Sequence, residues 1–391
     1  MGRLARSAII GVGFSALSRK PIGSVSELAN AALSAALADA GVARAELDGL
    51  LLVQSELAER GLLGVRARDD FGLGDLALLN AIEAKGSSVV QMVQLATMAV
   101  DAGLARMVAC VFSDTPVAAG GGAGQSYVRP TAISGIDGWE ERYGLFGAIG
   151  VYALAARRYM ERFGIDETHL AAYAIACRRW AAGNSLALAR GALDLGTYRA
   201  SPFVVEPFRV LDCALPVNGA GAVIVTSVAR AADAKAPAAY IHGMGQGHDG
   251  HSAFRPNGNG ATGGRSAGRR AMAMAGVTPA DVTMCQIYDA FSFSGLFALE
   301  DYGLCGPGEA GAFVADGHTG PDGRLPMNTG GGHLSSYYLQ GMTPVSEAAI
   351  QLRGQGGARQ VARNDVVLVN GSGGCLEFHA ALIMSPHRVL S

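Results

Sequence analysis

Short apolar runs alternate with helical stretches along this chain, and the alternation occurs in two successive sets. Residues 7–13, 47–53 and 107–111 each read as a buried strand, because apolar residues dominate each run. Helical spacing over residues 25–40 and 86–102 separates them, with Ser87 and Ser88 suited to cap the second helix. From about Pro237 the pattern begins again. A strand at 240–243, a helix near 267–275, a strand at 281–287 and a helix at 292–302 precede a closing strand pair. That pair, 359–370 and 376–384, is expected to turn at Gly371-Ser372-Gly373-Gly374. Such alternation requires an α/β architecture with parallel-rich sheets, and its recurrence suits a duplicated unit.

Composition narrows the function. The chain has 391 residues, 50% hydrophobic and 16% charged, so a large core is available and disorder is excluded. A net charge of -2 supplies no field for nucleic acid or an acidic membrane, and neither is expected as a partner. Six cysteines stand far apart with no C-x-x-C pair, the pattern of a reducing compartment without a disulfide framework or a zinc site. The apolar run after Met1 is too short for a secretory signal and no run reaches ~20 apolar residues, so a cytoplasmic protein is expected. Gly11-x-Gly13-x-x-Ala16 matches a dinucleotide fingerprint only superficially, since Pro21 and Gly23 interrupt the helix that must begin there. His248-Asp249-Gly250-His251 has two imidazoles but flanking glycines and no third ligand. It reads as a surface or substrate loop, and no metal is expected.

Two motifs carry the chemistry. The first is Tyr288-Asp289-Ala290-Phe291. The second opens Asn328-Thr329-Gly330-Gly331-Gly332-His333 and closes Tyr337-Tyr338-Leu339-Gln340-Gly341. Their spacing resembles the catalytic loops of the thiolase superfamily, over nearly the whole chain. In thiolases the Tyr338 position holds His, and the Tyr288 position holds Asn or His. The resemblance implies a thiolase fold: two duplicated βαβαβαββ halves in a five-layered αβαβα arrangement. Residues 1–114 and 203–228 would form the N-terminal half and 229–391 the C-terminal half. Residues 115–202, with their Gly120–Gly124 run and two helices at 151–163 and 167–182, would be an inserted loop domain over coenzyme A.

The departures matter as much. Counting back from Gly103 puts the thiolase nucleophile at Gly86, and no cysteine lies between Met1 and Ala109. The second thiolase cysteine is also missing from its place in Val369-Asn370-Gly371-Ser372-Gly373-Gly374, with Cys375 beyond the turn. Claisen cleavage needs a thiolate to capture the acyl group; retro-aldol cleavage does not. It needs a base for the β-hydroxyl proton, donors for the enolate oxygen and an acid for the α-carbon. This exchange resembles the steroid side-chain-cleaving aldolases, which convert a β-hydroxyacyl-CoA steroid to a ketosteroid and propionyl-CoA.

The resemblance therefore makes Tyr288 and Tyr338 the catalytic acid/base pair, in either order. Gly86, Gly373 and Gly374 would serve as thioester-binding donors or as clearance. His333, Asn328 and Asp289 would support the pair from behind, with His333 orienting the loop. No cofactor is implied beyond the coenzyme A of the substrate. The resemblance also implies a small OB-fold acyl-CoA-associated partner and a homodimer within a heterotetramer. Two other readings stay open: a thiolase or acyl transferase using Ser87 or Ser88, and a non-catalytic acyl-CoA or lipid-binding scaffold.

Overall fold

In the computed structural model, residues 3–53, 64–119, 135–145, 147–234, 236–249 and 262–390 are described. The Gly120–Gly124 run lies outside them, as do Gly250 and His251 of the histidine motif. Nine strands form the main sheet: β1 (Ser7–Phe14), β2 (Gly49–Val53), β3 (Leu78–Ile82), β4 (Met107–Asp114), β5 (Gly219–Ser227), β6 (Ala239–His248), β7 (Met284–Gln286), β8 (Val367–Gly373) and β9 (Phe378–Ser385). Six helices matter for the site: α1 (Val25–Ala40), α2 (Ser88–Asp101), α3 (Gly147–Phe163), α4 (Glu167–Ala182), α5 (Gly263–Ala275) and α6 (Met342–Leu352).

The strand order is β7-β8-β9-β6-β1-β5-β4-β2-β3. It is two half-sheets joined edge to edge by one short antiparallel ladder, in which Ser7, Ala8 and Ile9 oppose Ile241, Tyr240 and Ala239. Within the first half, β4, β2 and β3 are parallel; in the second, β7 and β8 are. The two half-sheets enclose a central layer of α2 and α6, while α1 covers the first half from outside and α5 the second. Five layers result, as a thiolase fold requires.

The pleat explains the unbroken apolar runs. Ile9, Leu51 and Val53 face the central core, whereas Ala8, Ile10, Leu50 and Leu52 face the core beneath α1. A strand buried on both faces leaves few positions for a polar side chain. Helix α6 is likewise buried on nearly every side, with its Glu347 paired to Arg359 at 3.0 Å.

Gly11 and Gly13 are placed by packing. A Cβ on Gly11 would lie 2.3 Å from the Ala36 carbonyl oxygen, and one on Gly13 2.4 Å from that of Ala32, both in α1. The second half repeats the device: Cβ atoms on Gly243, Gly245 and Gly247 would lie 2.0, 2.1 and 1.9 Å from carbonyl oxygens of α5. The glycines let a helix backbone lie on a strand.

Three expectations need correcting. The closing strand begins at Val367 and runs through Gly371, Ser372 and Gly373, so the turn is confined to 374–377. The expected start at 359 falls in a short 3-10 turn and a loop. Helix α3 begins four residues earlier than the expected 151, at Gly147.

Candidate active site

Tyr288 leaves the end of β7, where its N–H donates to Asn370 Oδ1 on the adjacent β8 at 2.7 Å. The phenol passes over Gly86, at the turn into α2. A Cβ on Gly86 would stand 2.4 Å from Tyr288 Cζ, 2.5 Å from its hydroxyl and 2.1 Å from the Ser372 carbonyl oxygen. No real Cβ contact is that close, so Gly86 supplies clearance for the phenol. The hydroxyl of Tyr288 meets that of Tyr338 at 2.6 Å.

Tyr338 arrives on the second motif. Its N–H donates to the Leu215 carbonyl at 2.9 Å, just before α6 begins. The preceding loop is tightly folded: Asn328, Gly331 and Gly332 take φ values of 51, 104 and 58°. Glycine adopts such values at little cost, and Asn more readily than most residues. A single π-helical turn, Gly332–Ser336, then presents His333.

His333 is fully buried and stands edge-on to both phenols, with ring centroids 4.8 Å from Tyr288 and 5.0 Å from Tyr338. Its Nδ1 accepts from the Asp289 N–H at 3.2 Å, which leaves Nε2–H to donate to the Gln340 carbonyl at 2.8 Å. Burial holds the ring down to a pKa of about 4, so it is neutral near pH 7. His333 therefore props the tyrosines rather than titrating beside them.

Asp289 turns away from the pair. Its carboxylate accepts from the His333 N–H at 2.8 Å and from the Tyr173 hydroxyl, on α4, at 3.1 Å. Cys177, one turn along, lies 3.7 Å from the same carboxylate. Burial pushes Asp289 up to about 7 despite these donors. Asn328 accepts from the Ile287 N–H at 2.6 Å and donates to the Tyr173 hydroxyl at 2.9 Å. Both side chains tie α4 to the catalytic loop, and neither contacts a tyrosine of the pair in these hydrogen bonds.

Gly373 lies in β8 against the 84–86 turn: its Cβ would meet the Ala84 carbonyl oxygen at 2.3 Å and the Gly86 nitrogen at 3.0 Å. Gly374, with φ 65°, turns the chain beside Glu377. Ser87 and Ser88 do not cap α2 as expected: the helix has no side-chain cap, and both hydroxyls turn back to carbonyls of their own turn. Ser87 Oγ donates to the Ala84 carbonyl at 2.8 Å, and Ser88 Oγ to that of Lys85 at 2.6 Å. No group of three His, Cys, Asp or Glu suited to a metal occurs among the described residues.

Several neighbours of the pair escape sequence reasoning. Asp114, buried at the end of β4, faces Tyr338 closely enough to oppose its ionisation. Tyr152, on α3, hydrogen-bonds Ser372 and carries a pKa raised by burial. Asn370 anchors the Tyr288 backbone. Each comes from an element remote from both motifs, and no local pattern marks it. Burial also pushes Tyr338 up to about 12, so it is a phenol near pH 7. The thiols of Cys110, Cys177, Cys213, Cys285 and Cys305 are raised by burial as well, which is unlike a poised nucleophile. What the geometry offers is a coupled pair of phenolic hydroxyls.

Comparison with known proteins agrees. Residues 245–386 match the family described as thiolase C-terminal domain-like. The chain is 35% identical over 361 residues to 17-hydroxy-3-oxo-4-pregnene-20-carboxyl-CoA lyase of Mycobacterium tuberculosis, covering 89% of this chain and 92% of that one. It is 32% identical to the steroid side-chain-cleaving aldolase of Thermomonospora curvata, over 89% of this chain and 90% of the other. The solved Ltp2-ChsH2(DUF35) aldolase superposes with a TM-score of 0.87 at 30% identity, covering 98% of both chains. On fold, paired motifs and these relatives together, the chain belongs to the thiolase superfamily, in the branch of the steroid side-chain-cleaving aldolases.

Proposed function

We propose that this protein is a carbon–carbon lyase that cleaves a bulky, steroid-derived β-hydroxyacyl-CoA by a retro-aldol reaction, to a ketosteroid and propionyl-CoA. The observation that carries the reading is the 2.6 Å contact between the Tyr288 and Tyr338 hydroxyls above a residue with no side chain. A tyrosine pKa near 10 is ill suited to a lone base at neutral pH. Coupling removes the difficulty. One phenol accepts the β-hydroxyl proton as it passes its own to the second, which delivers a proton to the α-carbon. Both tyrosines are neutral before and after, so no tyrosinate has to accumulate. Either tyrosine serves at the hydroxyl end.

The N–H groups of Gly86, Gly373 and Gly374 are the donors proposed for the thioester oxygen as enolate charge develops. The substrate brings its own coenzyme A. Residues 115–202 would act as the loop domain over it, inserted in an N-terminal half of 1–114 with 203–228, and 229–391 would complete the second half. A small OB-fold partner of the DUF35 kind completes the enzyme, a reading supported by the Ltp2-ChsH2(DUF35) relative. Strand β3 ends the sheet with one bonded edge among the described residues, which suits pairing with a second copy in a homodimer within a heterotetramer.

The thiolase alternative loses support at Ser87 and Ser88, whose hydroxyls donate to carbonyls of their own turn. The test is mass spectrometry of products from a tertiary β-hydroxyacyl-CoA steroid, with partner and without free coenzyme A. Ketone and propionyl-CoA are expected. Tyr288→Phe and Tyr338→Phe should each lower kcat by about 10²–10⁴-fold, the usual range for acid–base groups, with KM changed little. Unchanged turnover in either variant would remove that tyrosine from the mechanism.

A further inference from the structure

The spacing of the two hydroxyls also dictates the face on which the α-carbon is protonated. We infer that cleavage proceeds with retention at the α-carbon: the incoming hydrogen takes the place the departing carbon held. The inference rests on the lyase reading above and extends it to stereochemical course.

Across a tetrahedral carbon, the β-oxygen and the α-carbon of the substrate are about 2.4 Å apart, from ordinary bond lengths and angles. The phenols are 2.6 Å apart, oxygen to oxygen. Set one phenol at hydrogen-bond distance, about 2.7 Å, from the β-oxygen. The second phenol then faces the α-carbon across a nearly square array, close enough for proton transfer and on the side where the β-carbon is leaving. Delivery to the opposite face would need the acid beyond the α-carbon. Base and acid oxygens would then lie more than about 5 Å apart, the sum of a contact distance and the oxygen-to-carbon span. The observed spacing is half that.

Gly86 and His333 hold the pair in this geometry. A Cβ at residue 86 would displace the Tyr288 hydroxyl, and the His333 ring lies edge-on to both phenols.

Electrons and protons balance without a co-reactant. The O–H pair of the β-hydroxyl becomes the second C–O bond of the ketone as its proton moves to the first phenol. The carbon–carbon bonding pair moves to the thioester as an enolate. The first phenol's proton passes to the second, and the second's proton forms the new C–H bond with the enolate pair.

In deuterium oxide the propionyl-CoA released is chiral at its α-carbon. The experiment supplies the protein and its partner with an α-methyl, tertiary β-hydroxyacyl-CoA steroid of known α-configuration, and reads the configuration of the monodeuterated product at early times. Retention in about ten-fold excess or more is expected, a ratio that needs only about 1.4 kcal/mol between the two faces. Residual turnover by Tyr288→Phe or Tyr338→Phe should move toward an even mixture as solvent replaces the missing donor. Inversion, or a racemic product from the unsubstituted protein, overturns the inference while leaving the lyase reading intact. Absence of ketone from either α-epimer removes both.

Discussion

At the scale of single residues, a side chain at 86 and the phenol at 288 compete for one place, since the Cβ of the first would sit 2.5 Å from the hydroxyl of the second. Restoring a thiolase-like cysteine with Gly86→Cys should therefore not create a thiolase. The expected result is loss of lyase turnover by about 10²-fold or more through displacement of one acid–base group, and no trapped acyl-enzyme by mass spectrometry. An acyl-enzyme formed at residue 86 would refute it. Asp289 leads to a separate prediction. Its folded pKa, about 7, stands above the ordinary 3.8, so the native state binds the proton more tightly than the unfolded chain. The stability this contributes is fully present below pH 4 and is lost as pH rises through 7, at most about 4 kcal/mol for three pK units. Asp289→Asn should flatten that loss, and urea midpoints at pH 5 and pH 8 measure it. An equally steep decline in the variant would place the effect elsewhere. The two tyrosines and His333 were legible because each sits in a motif whose local order survives, and Gly86 because a count back from Gly103 reaches it. Asp114, Tyr152 and Asn370 were not, because only the fold brings β4, α3 and β8 to the same point.

At the scale of elements, the alternation of strands and helices was readable, but not the purpose of the G-x-G spacing. Pro21 and Gly23 argue against a phosphate-binding turn at Gly11 and Gly13, but what the glycines are for shows only once α1 and α5 are seen lying on them. Gly245→Ala should cost about 1–3 kcal/mol by forcing α5 off β6, the usual scale of overpacking, with Gly13→Ala costing a similar amount against α1. Denaturant unfolding of the two variants measures this, and a neutral outcome would mean the helices yield freely. Helix α6 went unrecognised for a different reason. It is buried on nearly every side with Ser346, Glu347 and Gln351 inside, so burial and hydrophobicity part company and the apolar rhythm is blurred, and Pro344 stands in its first turn, where proline is tolerated. The closing strand was misjudged because a Gly-Ser-Gly-Gly run resembles a turn. In the fold, Gly371 and Gly373 stay in the strand, leaving room for the 84–87 turn that carries Gly86.

At the scale of the whole molecule, no helix among the described residues is long and apolar enough to cross a membrane. The site joins parts far apart in the chain: Gly86 comes from the turn before α2, and the phenols from the loops that follow β7 and precede α6. The central layer is divided in the same way, with α2 supplied early in the chain and α6 late. This has a bearing on synthesis. When the ribosome has released the first half, α2 is complete, yet the surface that will cover its Met92, Val93 and Ala96 has not been made. A nascent chain carries an open strand edge at β1 until β6 emerges, and an uncovered apolar helix until α6, β8 and β9 follow, both invitations to aggregation. Proton transfer between the phenols is thus gained last, in the step that also hides that surface, and catalytic competence and escape from quality control arrive together.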